Sequence, residues 1–153
     1  MNFVAPCAFF PNKSRFEFGL ADMVWLDIEL HLDHYISGIW ENLCRKAVPR
    51  LEINGKTFNP ASRWWGAGAD RKPMEIDVLA ESTDKSTLLV GEVKWSETVN
   101  GDELENLLEQ KCRNFPLSHD KMMVKALFLK KKIVLRDANI HVLAPDDIVA
   151  VSV

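Results

Sequence analysis

The segment Thr87-Leu-Leu-Val-Gly-Glu-Val-Lys-Trp95 begins as an apolar run and ends in charge. Side chains of a strand alternate between faces, so Leu88, Val90, Glu92 and Lys94 share one side and Leu89, Val93 and Trp95 the other. Leu88 to Val90 is apolar on both sides, the pattern of a strand buried in the middle of a sheet. Glu92 and Lys94 follow directly on that run. Charges held near a core cost several kcal/mol per ion unless they are paired or bound to a metal, so this strand end has to be explained. They either pair with neighbours, emerge where the strand leaves the core, or serve a site.

Working outward, Glu75-Ile-Asp-Val-Leu-Ala80 reads as the preceding strand, joined to Thr87–Trp95 through the polar turn Ser82 to Ser86. Asp77 lies among Ile76, Val78 and Leu79, although Asp is disfavoured in strands. A hairpin sets Asp77 beside Glu92. Two close carboxylates repel, and a divalent cation with oxygen ligands relieves them. The expected ligands are Asp77, Glu92 and the Val93 carbonyl, and the expected ion is Mg²⁺ or Mn²⁺. Lys94 points toward the same space, where it orients a metal-bound water and offsets charge on a phosphate.

The remaining elements follow from periodicity. Residues from about Leu26 to Ala47 carry apolar side chains at helical spacing, with Ile36, Ile39, Trp40, Leu43 and Ala47 in one stripe and Pro49 ending it. Asn54-Gly55 marks a turn, a short segment leads to Trp65, and Gly66 and Gly68 form a glycine-rich loop. After Gly101 the positions Leu104, Leu107, Leu108, Cys112 and Phe115 make one helical face, stopped by Pro116. Val124–Leu129 and Ile140–Leu143 read as strands, and Pro145, Asp146 and Asp147 open a last short helix. The order predicts an α/β fold, a mixed sheet with helices on its faces. The expected division is an aromatic N-terminal extension over residues 1–25, carrying Phe3, Phe9, Phe10, Phe16 and Phe18, and a domain over 26–153. The extension is expected to pack on the domain or on a neighbour.

Asp, a gap, then Glu-x-Lys resembles the PD-(D/E)XK restriction-endonuclease-like superfamily, whose core runs helix, three strands, helix, strand. That resemblance implies a metal-dependent nuclease with Asp77, Glu92 and Lys94 in the site. It also implies a further acid from the first helix, here Glu41. A plain i,i+4 pair of Glu41 with Arg45 accounts for the same residue. Ile76 replaces the proline that names the superfamily's first motif. The strings Phe9-Phe-Pro-Asn-Lys-Ser14, Trp40-Glu41 with Cys44-Arg45, Arg63-Trp-Trp-Gly66, Glu75-Ile-Asp77 and Gly91-Glu-Val-Lys-Trp95 resemble more closely a family of C-terminal domains on archaeal and bacterial P-loop ATPases, of unknown function. The implied partner is a P-loop ATPase, as a fused domain or a separate protein.

The 153 residues carry a net charge of −3, which argues against a protein that simply coats nucleic acid. Five acids and no bases lie between Glu97 and Glu109, and six bases and no acids between Lys121 and Arg136. Lys121, Lys125, Lys130, Lys131 and Lys132 are therefore candidate contacts to DNA phosphates, or else a solvated face. Cys7, Cys44 and Cys112 are an odd set with no CxxC spacing, so neither a zinc site nor a disulfide framework is implied, which suits a cytoplasmic protein. No stretch has the length of a membrane span, so no membrane partner is expected. Gly55-Lys56-Thr57 lacks the upstream glycine of a P-loop, since Arg50 stands there. His31 and His34 with Asp27 make a poor metal set. Trp64 and Trp65 offer faces for stacking on bases, but being adjacent they take opposite sides of a strand, so at least one belongs to a core. Gln110 and Lys111 read as a solvated helix flank, while the superfamily resemblance implies the alternative that this helix brings them to the metal site. Oligomeric state has no signal in the chain. The leading expectation is hydrolysis of DNA phosphodiester bonds; the alternative is a catalytically inactive nuclease-fold module that binds nucleic acid or an ATPase partner.

Overall fold

The computed structural model describes residues 17–117 and 121–152. Phe3, Phe9, Phe10, Phe16, Cys7 and His119, and the side chains of Asp27 and His31, lie outside that description. The chain forms two compact units, Met1–Ser37 and Gly38–Val153. Helix α1, Ala21–Ala47, begins five residues before Leu26 and carries the chain from the first unit into the second. In the first unit Phe18, Met23, Trp25 and Leu26 are exposed, as is His34.

Helix α1 ends where Pro49 cannot continue it, and a single 3-10 turn, Val48–Arg50, follows. Strands β1, Glu52–Ile53, and β2, Lys56–Thr57, then form a small hairpin. Asn54 and Gly55 turn it with φ of 54° and 69°, the left-handed pair that a two-residue hairpin loop requires. Lys56 meets Asp84 at 2.5 Å, so the Gly-Lys-Thr string is a structural turn and strand rather than a phosphate loop.

The main sheet has five strands in the order β3-β4-β5-β6-β7: Ser62–Ala67, Pro73–Glu81, Thr87–Lys94, Met122–Leu129 and Ile140–Leu143. The first three are antiparallel, and β5-β6 and β6-β7 are parallel, so the sheet is mixed as expected. Helix α2, Gly101–Asn114, crosses between β5 and β6, and α3, Pro145–Ser152, follows β7. Two apolar cores lie on opposite faces. Leu89, Val93, Ala126 and Phe128 meet Trp40, Cys44 and Ile148 of α1 and α3; Leu88, Val90 and Leu127 meet Leu104 and Leu108 of α2. Every residue of β5 except Lys94 is buried, so Glu92 enters the interior through a strand formed by apolar burial. Gly91 is required there, because a Cβ would come within 2.9 Å of both Phe128 and Val78. Cys44 lies in the core under α1 and Cys112 packs against the core under α2, as small apolar residues do. Burial pushes the Cys112 thiol up to about 11, away from nucleophilic use. Among the described residues no helix is long and apolar enough to cross a membrane.

Candidate active site

The site grows from a defect in the sheet. Ser62 pairs with Leu79 but Trp64 pairs with Ile76, so β4 carries one residue more than β3 between those pairs. The bulge falls at Asp77 and Val78. Ile76 packs toward α2 while Val78, only two residues on, packs toward α1. An extra residue of this kind bends a strand and re-aims a side chain. The β4-β5 pairing ends at Val78 opposite Gly91, and there Asp77 Oδ2 accepts the Val93 backbone N–H at 2.9 Å. The carboxylate thus stands in for a ladder carbonyl. The freed Asp77 carbonyl accepts Arg45 Nη1 at 2.9 Å, which ties α1 to the bulge.

Glu92 faces α2, as alternation from Leu88 and Val90 requires. Only 3% of it is exposed. Its Oε1 is 2.9 Å from Lys94 Nζ, and its Oε2 takes the ammonium of Lys111. Lys111 is buried in the last turn of α2, so reading it as a solvated flank is wrong; Gln110 beside it is exposed. A buried carboxylate near the end of β5 needs a counterion from the element covering that face, and α2 supplies it. The position of α2 follows from its cap: Asn100 Oδ1 accepts the Asp102 N–H at 3.1 Å, and its amide reaches Glu103 at 2.9 Å. The sequence signal for Lys111 was its place one turn beyond Leu108 and two turns beyond Leu104, on the apolar face of α2.

Burial, and next the Glu92 charge, push the Asp77 carboxyl above its ordinary range. The Val93 N–H and Lys111 pull it partly back, and Glu41 adds to the rise. Burial works to lower Lys94, but the hydrogen bond and charge of Glu92, with Asp77 and Glu41, hold it above its ordinary value. Lys94 is therefore an ammonium that donates, not a base. Glu41 pairs with Arg45. Its Oε2 lies 3.6 Å from Arg45 Nη1, and its charge is felt by Asp77 and Lys94. Asp77, Glu92, Lys94, Glu41, Arg45 and Lys111 accordingly form one electrostatic cluster, with the Val93 amide in it.

Residues 7–113 match the DUF234 family, archaeal and bacterial proteins of unknown function. The chain belongs to that family. No curated protein and no solved structure matches it. The DUF234 match runs past Trp95 through most of α2, so it takes in Glu41, Arg45, Asp77, Glu92, Lys94 and Lys111 together. It leaves out β6, β7 and α3, and with them the lysine run.

That run is not one surface. Lys121 precedes β6 and is paired with Glu81 at the far end of β4 from Asp77, while Lys130, Lys131 and Lys132 follow β6 at the end where β5 finishes. Eight residues of strand, roughly 26 Å, separate the groups. Each lysine also meets an acid: Lys125 reaches Asp137 at 2.8 Å, Lys130 and Lys131 reach Glu97 at 2.7 and 2.5 Å, and Lys132 reaches Asp147 at 2.9 Å. Lys130 also sits over the Trp95 ring, 5.0 Å from its centroid, and Trp95 packs at a tilt of 57° against Trp40.

The donors available to a metal are carboxylate oxygens and a strand-end carbonyl, which suit hard ions such as Mg²⁺ or Mn²⁺. Among the described residues no three His, Cys, Asp or Glu side chains are gathered as a ready ligand set. Two carboxylates leave room for water and phosphate oxygens in an octahedral shell, and the Asp77 carboxyl is raised first by burial and then by the Glu92 charge.

Proposed function

We propose that this DUF234 domain is a divalent-metal-dependent phosphodiesterase of the PD-(D/E)XK kind, acting on DNA. The observation that carries the reading is the meeting of buried Asp77 and Glu92 with Lys94 at the point where β4 leaves β5. The order α1, β3, β4, β5, α2, β6 supports it. Asp77, Glu92 and the Val93 carbonyl would hold Mg²⁺ or Mn²⁺, which when bound polarises the scissile phosphate and lowers the pKa of a bound water. Lys94 holds its proton and donates a hydrogen bond that orients the attacking water and offsets charge on the phosphate. Arg45 keeps the Asp77 backbone in place, and Glu41 contributes through water or a second ion. Lys130 and Lys131, at the same end of the sheet, supply phosphate contacts once Glu97 yields them.

The exposed apolar residues of the first unit, Phe18, Met23, Trp25 and Leu26, support a protein interface there, to which a P-loop ATPase domain or partner would dock. A second reading is favoured by one observation: both Glu92 oxygens are already occupied by Lys94 and Lys111. The domain would then be a nuclease-fold platform without chemistry. Metal titration by calorimetry, with cleavage assays on plasmid, single-stranded and branched DNA, decides between them. Metal-dependent cutting lost in both Asp77→Ala and Lys94→Ala supports the enzyme. Binding without cutting, unchanged by either substitution, supports the platform.

A further inference from the structure

The hairpin of β3 and β4 runs past the last ladder pair of β4 with β5 and forms an arm beside the site. Its tip is fixed: the Ala69 N–H donates to the Asn114 carbonyl of α2 at 2.8 Å, and the Gly68 N–H to the Lys72 carbonyl at 2.9 Å. Trp64 and Trp65 take opposite faces of this arm. Trp64 packs edge-on against Phe115 in the core, with ring centroids 5.1 Å apart, whereas Trp65 is 79% exposed. A rigid strand thus presents a bare indole to solvent, and the fold makes no use of it.

The space around Trp65 is a groove of about 520 Å³, walled by Arg71, Met74 and Glu75. A second cleft of about 280 Å³ shares Pro73, Met74 and Glu75 with it and reaches Lys72, Gln110 and Lys111. The two clefts lie along the start of β4, the first holding Trp65 and the second lined by Lys111, the counterion of Glu92. Among the described residues the side chains of Arg71 and Lys72 make no ion pair, in contrast to the lysines after β6. Trp65 lies opposite Glu75, two residues from Asp77 along β4, so its backbone is roughly 8–9 Å from that of Asp77.

We infer that the arm is a binding site for unpaired nucleic acid, in which Trp65 stacks a base and Arg71 and Lys72 hold the adjoining backbone phosphates. An exposed aromatic face beside free cations is the chemistry that takes single strands without sequence readout. A base within a duplex is already stacked on both neighbours and cannot cover the indole. The substrate class is therefore DNA with a single-stranded stretch next to the scissile phosphate, such as an overhang or flap. This rests on the phosphodiesterase reading for its biological use, but not for the binding itself.

The test uses the whole chain, metal-free in EDTA so that nothing is cut, with fluorescence anisotropy on a labelled oligothymidine and on a blunt duplex of equal length. Trp65→Ala should weaken oligothymidine binding about 5- to 100-fold and leave the duplex unchanged, and Trp65→Phe should retain most of the affinity. Arg71→Ala with Lys72→Ala should flatten the salt dependence by about 1.4, or about 0.7 for each lost single-strand contact. Trp65 is exposed, so thermal melting should show each variant folded. Equal single-strand binding by wild type and Trp65→Ala overturns the inference, as does a wild-type preference for the blunt duplex. If Asp77-dependent plasmid cutting persists in that case, the phosphodiesterase reading stands alone and the arm belongs to a protein partner.

Discussion

Lys111→Met puts the electrostatics of the site to a direct measurement. In the wild type the Lys111 ammonium, with only 11% of its side chain exposed, neutralises Glu92 on Oε2 while Lys94 holds Oε1. Removing one member of a buried pair costs about 3–5 kcal/mol, because the other charge is left uncompensated. Lys94 remains, so the lower figure of about 3 kcal/mol applies. For a chain of 153 residues, at roughly 2–4 °C per kcal/mol, that is a drop in Tm of about 6–12 °C in metal-free buffer. The same change exposes two carboxylates to a cation. Lys111 sits where positive charge is wanted, and an ammonium about 4 Å from an incoming divalent ion opposes it by up to about 8 kcal/mol at an effective dielectric of 20. Screening by Lys94 and solvent leaves a fraction of that, so a tenfold or greater gain in Mn²⁺ affinity, about 1.4 kcal/mol, is expected. Melting with and without Mn²⁺ reads both effects, since a hundredfold excess over Kd returns about 2.7 kcal/mol. Lys111→Arg keeps the charge and should behave like the wild type. A folded Lys111→Met that melts at the wild-type temperature, or gains no more from Mn²⁺ than the wild type does, refutes the reasoning.

Asp77→Asn keeps an acceptor for the Val93 N–H and removes the charge. The folded Asp77 carboxyl is raised, so the native state binds more protons than the unfolded chain, and this group's penalty grows as pH rises from the ordinary carboxylate range through the raised value. In metal-free buffer Asp77→Asn should therefore melt above the wild type at pH 7, with the gap closing as pH falls toward about 4; a gap that widens on acidification contradicts the assignment. Gly91→Ala forces a methyl against Phe128 and Val78 and should cost about 1–3 kcal/mol in urea denaturation, since neither neighbour is the free end of a flexible chain. Glu97→Gln releases Lys130 and Lys131 from the acid they share. Its melting should barely change, while the salt slope of DNA binding should steepen by about one phosphate contact; an unchanged slope removes these lysines from the interface.

The chain's layers were legible because burial writes them in period. Leu88 to Val90 read as a strand covered on both faces, and Leu104 with Leu108 as a helix face turned to a core, so the order of elements along the chain and the layering of helices on a mixed sheet followed. Asp77 and Glu92 stood out because ions in apolar runs are costly, and they do lie in one cluster. Lys111 stood out less, its place on the flank of the helix favouring solvent over the site. A lysine flanking a helical apolar stripe usually extends into water, and only the depth of Glu92 on the covered face calls it inward. The bulge at Asp77 was silent, because no glycine or proline marks it and the irregularity shows only as Ile76 and Val78 packing on opposite faces. The lysine run misled in the other direction. Adjacency in sequence suggested one basic surface, but β6 carries its two ends to opposite sides of the sheet and an acid waits at each.

The bulge also explains why charge is tolerated at this place. A regular β4 would continue its ladder with β5 past Val78 and send Asp77 straight into one apolar face, with no donor but solvent. The extra residue breaks the ladder there, and two backbone groups lose their partners: the Val93 N–H and the Asp77 carbonyl. Each is satisfied from a group that is itself part of the site, the Asp77 carboxylate for one and Arg45 for the other. Leaving either unpaired would cost about 1–3 kcal/mol, so the hydrogen bonds that repair the sheet are the ones that hold the carboxylate in position. Arg45→Ala should then disturb Asp77 without touching it through charge alone: metal affinity should fall, and Arg45→Lys, which can still donate to the carbonyl, should restore part of it. If Arg45→Ala binds Mn²⁺ as the wild type does, the carboxylate is held by the Val93 N–H without help from α1, and the coupling between helix and bulge has no functional weight.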